Sequence, residues 1–230
     1  MSAWALVPAA GSGRRFGGEV PKQYLQAAGK PLLRHALEAL LAHPGIDGAV
    51  VALADGDARW PGWTTLHGKP VLACRGGAER ADSVLAALAA LPAGVADDAL
   101  VLVHDAARPN LQAGDIDALL EVAAAHPDGA ILAAPVRDTL KRADADGRIL
   151  ATEPRDALWR ALTQQAFRRD LLLRALHAAR DAGIVATDEA MAVERLGCRP
   201  RLVEGREDNL KVTTPADLVL ADFLLSRRSP

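Results

Sequence analysis

Two neighbouring stretches, Pro8-Ala9-Ala10-Gly11-Ser12-Gly13-Arg14-Arg15 and Pro21-Lys22-Gln23-Tyr24, gather the residue types that hold phosphate. Ala9, Ala10, Gly11 and Gly13 have little or no side chain, so a ligand can approach their backbone N–H groups, which cradle phosphate oxygens. Arg14, Arg15 and Lys22 bring positive charge to the same place, and Pro21 stiffens the approach to Lys22. Such a set suits binding of a nucleoside triphosphate and stabilisation of charge during phosphorus chemistry. Gly11 and Gly13 alone would equally fit a turn after a first strand. Two standard phosphate loops are excluded. No Gly-Lys-Ser/Thr completes a Walker A motif. The dinucleotide fingerprint would need a third glycine where Phe16 stands, and an acidic residue about 20 positions further on. The second strand-like run ends near Ala54-Asp55, much too late for that.

Three further stretches carry candidate chemistry. Gly76 and Gly77 stand before an Ala/Leu-rich helix that runs to Leu91, with Arg80, Asp82 and Ser83 at its start. Two glycines there can bring backbone against a base or ribose. Equally, Asp82 or Ser83 can simply cap the helix. His104-Asp105-Ala106-Ala107-Arg108-Pro109 follows the apolar run Leu100 to Val103. Ligands of open α/β sheets bind outside the carboxyl ends of the strands. A carboxylate at Asp105 can there hold Mg²⁺ on a triphosphate. His104 reads as a packed or hydrogen-bonded histidine, since no second histidine at helical spacing supports a zinc site. Thr187-Asp188-Glu189 reads as a helix start, with Thr187 as N-cap and two acids in the first turn. That structural role accounts for all three.

The elements that must position these residues follow from pattern. Trp4 to Val7, Gly48 to Ala54, Val71 to Cys74, Leu100 to Val103, Ala130 to Val136, Leu158 to Thr163 and Arg201 to Val203 read as strands. Helices are expected over Pro31 to His43, Asp115 to Ala125 and Arg168 to Ala182, and a last one opens with Thr214-Pro215 and ends near Leu225. Trp60-Pro61-Gly62-Trp63 reads as a loop folded onto the core. The alternation implies a three-layer α/β fold around a mostly parallel sheet, in one domain spanning 1–230. Its crevice is expected where Gly11, Gly77 and Asp105 converge. An insertion at about 137–156 breaks the alternation. Asp146-Gly147 between short β-like runs is a hairpin signal. Such a hairpin is marginal alone, so it packs on a second subunit or folds back on its own domain.

Composition narrows the function classes. Half of the 230 residues are apolar, enough for a sizeable core. With 27 basic against 29 acidic residues the net charge is −2, and no basic tail points to nucleic acid. One Tyr, three Phe and four Trp make a stacking platform for single strands unexpected. Cys74 and Cys198, the only cysteines, suit a reducing cytoplasm. No apolar run reaches the roughly 18 residues of a membrane span, and no signal peptide is recognised.

The first loop with Pro-Lys-Gln behind it resembles the signature of nucleotidyltransferases that make nucleoside-diphosphate derivatives, and Gln23-Tyr24 resembles the cytidylyltransferase branch. The resemblance extends in order through Gly76 to Ser83, Val103-His104-Asp105-Ala106-Ala107-Arg108-Pro109, Ala134 to Thr139, Thr187-Asp188-Glu189 and Val203 to Thr213. Together these segments resemble the 2-C-methyl-D-erythritol 4-phosphate cytidylyltransferase family of the non-mevalonate isoprenoid pathway, over nearly the whole chain.

That resemblance implies a Rossmann-like nucleotidyltransferase domain and a homodimer whose projecting arm crosses to the other subunit. It implies transfer of CMP from CTP to methylerythritol phosphate, with in-line attack of the substrate phosphate on the α-phosphorus and release of pyrophosphate. Arg15, Lys22 and Lys211 would be catalytic, Lys211 also approaching the substrate phosphate. Ala9, Ala10, Gly11, Gly13, Gly77 and Ser83 would bind the nucleotide. Asp105, Arg108, Thr139, Arg155 and Thr163 would bind substrate, Thr139 and Arg155 from the partner's arm, and Asp105 would face Mg²⁺. Two positions depart from the family pattern. Ala78 stands where an acidic residue is frequent, and Gln164 replaces a usual proline, which is expected to loosen a turn. A cytidylyltransferase acting on a pentitol phosphate such as ribitol 5-phosphate, and a nucleotide-binding module without catalysis, are the alternatives. The presence of Arg15, Lys22, Asp105 and Lys211 argues against the latter.

Overall fold

Strand β1 (Ala3–Ala9) is buried along its length and sends alternate side chains to the two faces of the central sheet. Ala3, Ala5, Val7 and Ala9 join one hydrophobic core, and Trp4 and Leu6 join the other. This is a strand covered by helices on both sides, and it reads as a continuous apolar run for that reason. The computed structural model describes residues 2–11 and 20–227. Gly13, Arg14 and Arg15 of the first loop lie outside the described residues.

A small hairpin, β2 (Gln26–Ala27) and β3 (Lys30–Pro31), leads into helix α1 (Leu32–Ala42) and then β4 (Ile46–Leu53). β5 (Thr65–Leu66) and β6 (Lys69–Arg75) precede α2 (Arg80–Ala89), and β7 (Leu100–Val103) precedes α3 (Ala113–Ala125). β8 (Ala130–Pro135) is followed by the hairpin strands β9 (Leu140–Ala143) and β10 (Ile149–Glu153). β11 (Trp159–Arg168), α4 (Arg169–Asp181), α5 (Glu189–Glu194), β12 (Arg201–Glu204) and α6 (Pro215–Ser226) complete the order.

Among the described residues the main sheet has the order β12-β8-β11-β7-β1-β4-β6-β5. The neighbours β6–β4, β4–β1, β1–β7 and β8–β12 are parallel, while β11 runs antiparallel to both β7 and β8. Apolar residues of α1 and α3 fill one face, and those of α2, α4 and α5 fill the other, giving the expected three layers around a mostly parallel sheet. After β1 the chain builds outward through β4 and β6, then returns to lay β7 on the other side of β1. The carboxyl ends of β1 and β7 therefore flank a topological switch point, where open α/β sheets bind ligands.

The structure corrects several boundaries. β11 continues to Arg168, well past Thr163, because its second half is wedged between β7 and β8. Gln164 thus sits in the buried stretch of this strand, near a register shift in the β11–β8 pairing, and is no part of a turn. Asp188, not Thr187, caps α5, its Oδ1 accepting from the Met191 N–H at 2.9 Å. The start of α2 is set by Glu79, whose N–H donates to Asp82 Oδ2 at 3.2 Å. Trp60 and Trp63 pack on the core with rings 5.1 Å apart, edge to face, and Arg34 stacks over Trp63. The β9–β10 hairpin turns through Gly147, whose φ of +80° is costly for a residue with a side chain.

Candidate active site

A cavity of about 460 Å³ opens at the switch point, within the range of small-molecule sites. Ala9, Ala10, Gly11 and Lys22 line one side, and Gly77 and Ser83 line another. Asp105 and Lys211 lie in the same wall, so the convergence expected from sequence is present. Among the described residues nothing lies within 4 Å of where a Cβ on Gly11 would stand. Gly76 and Gly77 are required by packing. A Cβ on Gly76 would lie 2.7 Å from the Ala10 Cβ, and one on Gly77 would lie 2.2 Å from the Asp82 Cβ. They let the loop before α2 close against the loop after β1. Ser83 Oγ then accepts from the Gly77 N–H at 3.2 Å, which fixes that loop as a cavity wall. Gln23 donates to the Ala9 carbonyl at 2.7 Å and ties the Lys22 turn to the end of β1.

Asp105 is the hub. It follows β7 and is nearly buried. Its Oδ2 lies 2.7 Å from Lys211 Nζ and 3.8 Å from Arg108 Nε, and its Oδ1 accepts from Arg80 Nε at 3.1 Å. Burial alone would raise its pKa, but Arg80, Lys211 and Arg108 overcome this and hold the carboxyl well below the ordinary range. Arg108 is pulled the other way, burial lowering its pKa and Asp105 offsetting only part. One of its NH groups donates to the Asn209 carbonyl at 2.7 Å.

Thr163 is buried and supports this hub from below. Its Oγ1 accepts from the Asp105 N–H at 3.1 Å, and its carbonyl accepts from Asn209 Nδ2 at 2.8 Å. His104 is fully buried, with Nε2 2.9 Å from the Arg108 carbonyl and Nδ1 3.5 Å from Thr163 Oγ1. A ring nitrogen facing a carbonyl must carry the proton, which leaves Nδ1 as acceptor. Burial pushes the His104 pKa down to about 4, so the ring is neutral near neutrality.

Arg108 and Thr163 adjoin the cavity wall without lining it. Thr139 and Arg155 stand on and beside the hairpin and line no part of this chain's own cavity. Arg155 instead donates to the Arg137 carbonyl.

Three members of the cluster escaped the sequence reading. Arg80 was legible only as the residue opening α2, and Glu189 only as an acid in a first helical turn. They meet across the fold: an Arg80 NH donates to Glu189 Oε1, and Glu189 is buried almost completely. Asn209, fully buried and holding both Thr163 and Arg108, is a third.

A mostly parallel α/β sheet, with a cation-ringed crevice at its switch point beside a loop of small residues, defines the α/β nucleotidyltransferase class. The family model for IspD, 2-C-methyl-D-erythritol 4-phosphate cytidylyltransferase, matches residues 3–227. The chain belongs to that family. The protein of that name from Xanthomonas campestris pv. campestris (strain 8004) is 66% identical over 227 residues, 99% of this chain and 86% of its own length. A crystal structure of 4-diphosphocytidyl-2C-methyl-D-erythritol synthase is 38% identical with a TM-score of 0.81, covering 97% of this chain and 99% of its own. The crystal structure of the Francisella tularensis 2-C-methyl-D-erythritol 4-phosphate cytidylyltransferase gives 31% identity and a TM-score of 0.82, over 97% of this chain and 100% of its own.

Proposed function

We propose that this chain transfers CMP from CTP to 2-C-methyl-D-erythritol 4-phosphate and releases pyrophosphate. The observation that carries the reading is the Asp105 hub with Lys211, lining the same cavity as Ala9 to Gly11. An oxygen of the substrate phosphate forms a bond to the α-phosphorus of CTP, and the bond from that phosphorus to the β-bridging oxygen breaks. The nucleophile belongs to the substrate, so the protein's work is orientation and charge. Lys22 and Arg15 would hold the triphosphate and stabilise the crowded α-phosphorus, and Lys211 and Arg108 would draw in the substrate phosphate. Ala9, Ala10, Gly11, Gly13, Gly77 and Ser83 would seat ribose and cytosine through backbone and hydroxyl groups.

Mg²⁺ fits this site as a companion of the triphosphate. Among the described residues no three His, Cys, Asp or Glu side chains converge to cage an ion alone. A single carboxylate at Asp105, with phosphate oxygens and water, is a donor set that Mg²⁺ accepts. The ion would neutralise charge on the phosphates when bound. Lys211 and Arg80, which now satisfy Asp105, would share the carboxylate with it.

The hairpin at about 137–156 would complete the partner's site in a homodimer. Ile149 and Leu150 on it are 67% and 63% exposed, apolar surface that a second subunit would cover. Thr139 and Arg155 would then reach the neighbouring substrate phosphate. Cys74 and Cys198 are both free thiols, in keeping with a reducing cytoplasm. No helix among the described residues is long and apolar enough to cross a membrane.

Pyrophosphate release with methylerythritol phosphate and each of CTP, UTP, ATP and GTP tests the reading, with ribitol 5-phosphate as second acceptor. CTP with methylerythritol phosphate should be strongly preferred. Equal use of UTP, or a preference for ribitol 5-phosphate, contradicts it.

A further inference from the structure

Glu189 is 1% exposed and lines no part of the cavity, so it cannot touch a ligand there. Its Oε1 nevertheless meets an Arg80 NH, while its Oε2 has no hydrogen-bond partner among the described residues. Burial raises its pKa, and Arg80 offsets only part of that. A carboxylate kept in so dry a place needs its cation. Arg80 does line the cavity, and its guanidinium spans two carboxylates, Glu189 behind and Asp105 in front.

The guanidinium is a planar fork with donors in fixed directions. Seating one NH on Glu189 therefore sets where Nε points, and Nε meets Asp105 Oδ1 at 3.1 Å. Glu189 is itself held firmly. Gln165 Oε1 accepts from the Ala190 N–H at 2.9 Å, and Gln165 Nε2 donates to Asp188 Oδ2 at 2.9 Å. Both bonds pin the start of α5 to β11, the strand that also carries Thr163. Asp105 is thus fixed from two sides, by Thr163 at its backbone and by Arg80 at its carboxylate.

We propose that Glu189 is a positioning residue: acting through Arg80, it holds the Asp105 carboxylate in register with Lys211 at the floor of the crevice. The proposal rests on the cytidylyltransferase reading of that crevice. Neutralising Glu189 frees one end of the Arg80 fork, and Arg80 then follows Asp105 alone or turns toward solvent. The reacting groups lose alignment, but the nucleotide pocket at Ala9 to Gly11 keeps its shape.

The test compares the parent with Glu189→Gln, Arg80→Gln and the double variant, by kcat at saturating substrates, CTP dissociation constant by calorimetry, and thermal unfolding. Glu189→Gln should lower kcat by about tenfold or more, the scale for losing an outer partner of a working site, with CTP affinity near the parental value. Added to Arg80→Gln, it should cause no further loss, because its effect passes through Arg80. A merely structural role would lower the unfolding midpoint and leave the kcat of the folded protein intact. Parental kcat in Glu189→Gln, or losses that multiply in the double variant, overturns the proposal. If Glu189→Gln fails to fold, the double variant, which removes both charges together, is set against Arg80→Gln: equal kcat supports the proposal and a further fall overturns it. An inactive parent overturns the cytidylyltransferase reading and this inference with it, whereas an active parent with an unaffected Glu189→Gln overturns the inference alone.

Discussion

Lys211 Nζ stands 2.7 Å from Asp105 Oδ2, joining the segment before α6 to the carboxyl end of β7. The contact is part of a seam. The Val212 N–H donates to the Ala107 carbonyl at 2.9 Å, and Asn110 Nδ2 donates to the Asp208 carbonyl at 3.0 Å. Lys211 is delivered to the crevice by this docked strap.

Asp105→Asn keeps the shape of the hub and removes its charge. Arg80 would keep Glu189 and the more exposed Lys211 can be solvated, but Arg108, largely shielded from water, would lose the carboxylate that offsets its burial. Removing one partner of a buried ion pair costs about 3 kcal/mol or more. Urea unfolding of Asp105→Asn should therefore show a loss of that order, and kcat should fall by about 10²-fold or more. A variant as stable and active as the parent would remove Asp105 from the centre of the site.

His104 gives the fold a pH dependence. Its folded pKa, about 4, lies below its ordinary value of 6.5. Stability from the neutral ring is complete above pH 6.5 and is lost as pH falls toward 4. At about 1.4 kcal/mol per pKa unit, the loss approaches about 3 kcal/mol. Asp105, whose pKa is depressed, adds to this loss only at still lower pH, and Glu189, whose pKa is raised, opposes it. Subtracting the unfolding free energies of His104→Gln from those of the parent between pH 7 and 4.5 isolates the histidine. The parent should lose stability more steeply than the variant, and parallel curves would refute the assignment.

Much of this arrangement could be read from sequence because it is local. The strand Leu100–Val103 is buried at every position and was marked by its unbroken apolar run. Thr214 and Pro215 cap and open α6 as their residue types dictate. The cavity fell where the ends of β1 and β7 had to meet. The missed features depend on distance. Nothing near Glu189 in sequence announces Arg80, and two acids after Thr187 look like an ordinary helix start. The second half of β11 was missed because Gln164 and Gln165 are polar, although both are fully buried. Gln165 uses its polarity to hold α5. Gln164 has no hydrogen-bond partner for its amide among the described residues, and the structure offers no reason for it.

The hairpin makes a prediction about subunits. Arg155→Ala and Lys22→Ala should each lower activity by about 10²-fold, the scale for a preorganised charge at a transition state. If the arm serves the neighbouring site of a two-fold dimer, mixing the two proteins with subunit exchange builds heterodimers with one doubly defective and one intact site. Activity should then recover to roughly a quarter of the parental level, since half the dimers are mixed and each has one working site. Verified exchange without recovery would mean that the arm serves its own chain.

The central claim is that an oxygen of the acceptor's phosphate, and not water, forms the new bond to the α-phosphorus. It is tested most directly by incubating the protein with CTP, Mg²⁺ and methylerythritol phosphate whose non-bridging phosphate oxygens are ¹⁸O, then weighing both products by mass spectrometry. The account predicts that the cytidine diphosphate-linked product retains all the label and that pyrophosphate carries none. Label in the pyrophosphate, label lost to orthophosphate, or CMP formed without a coupled product would contradict it.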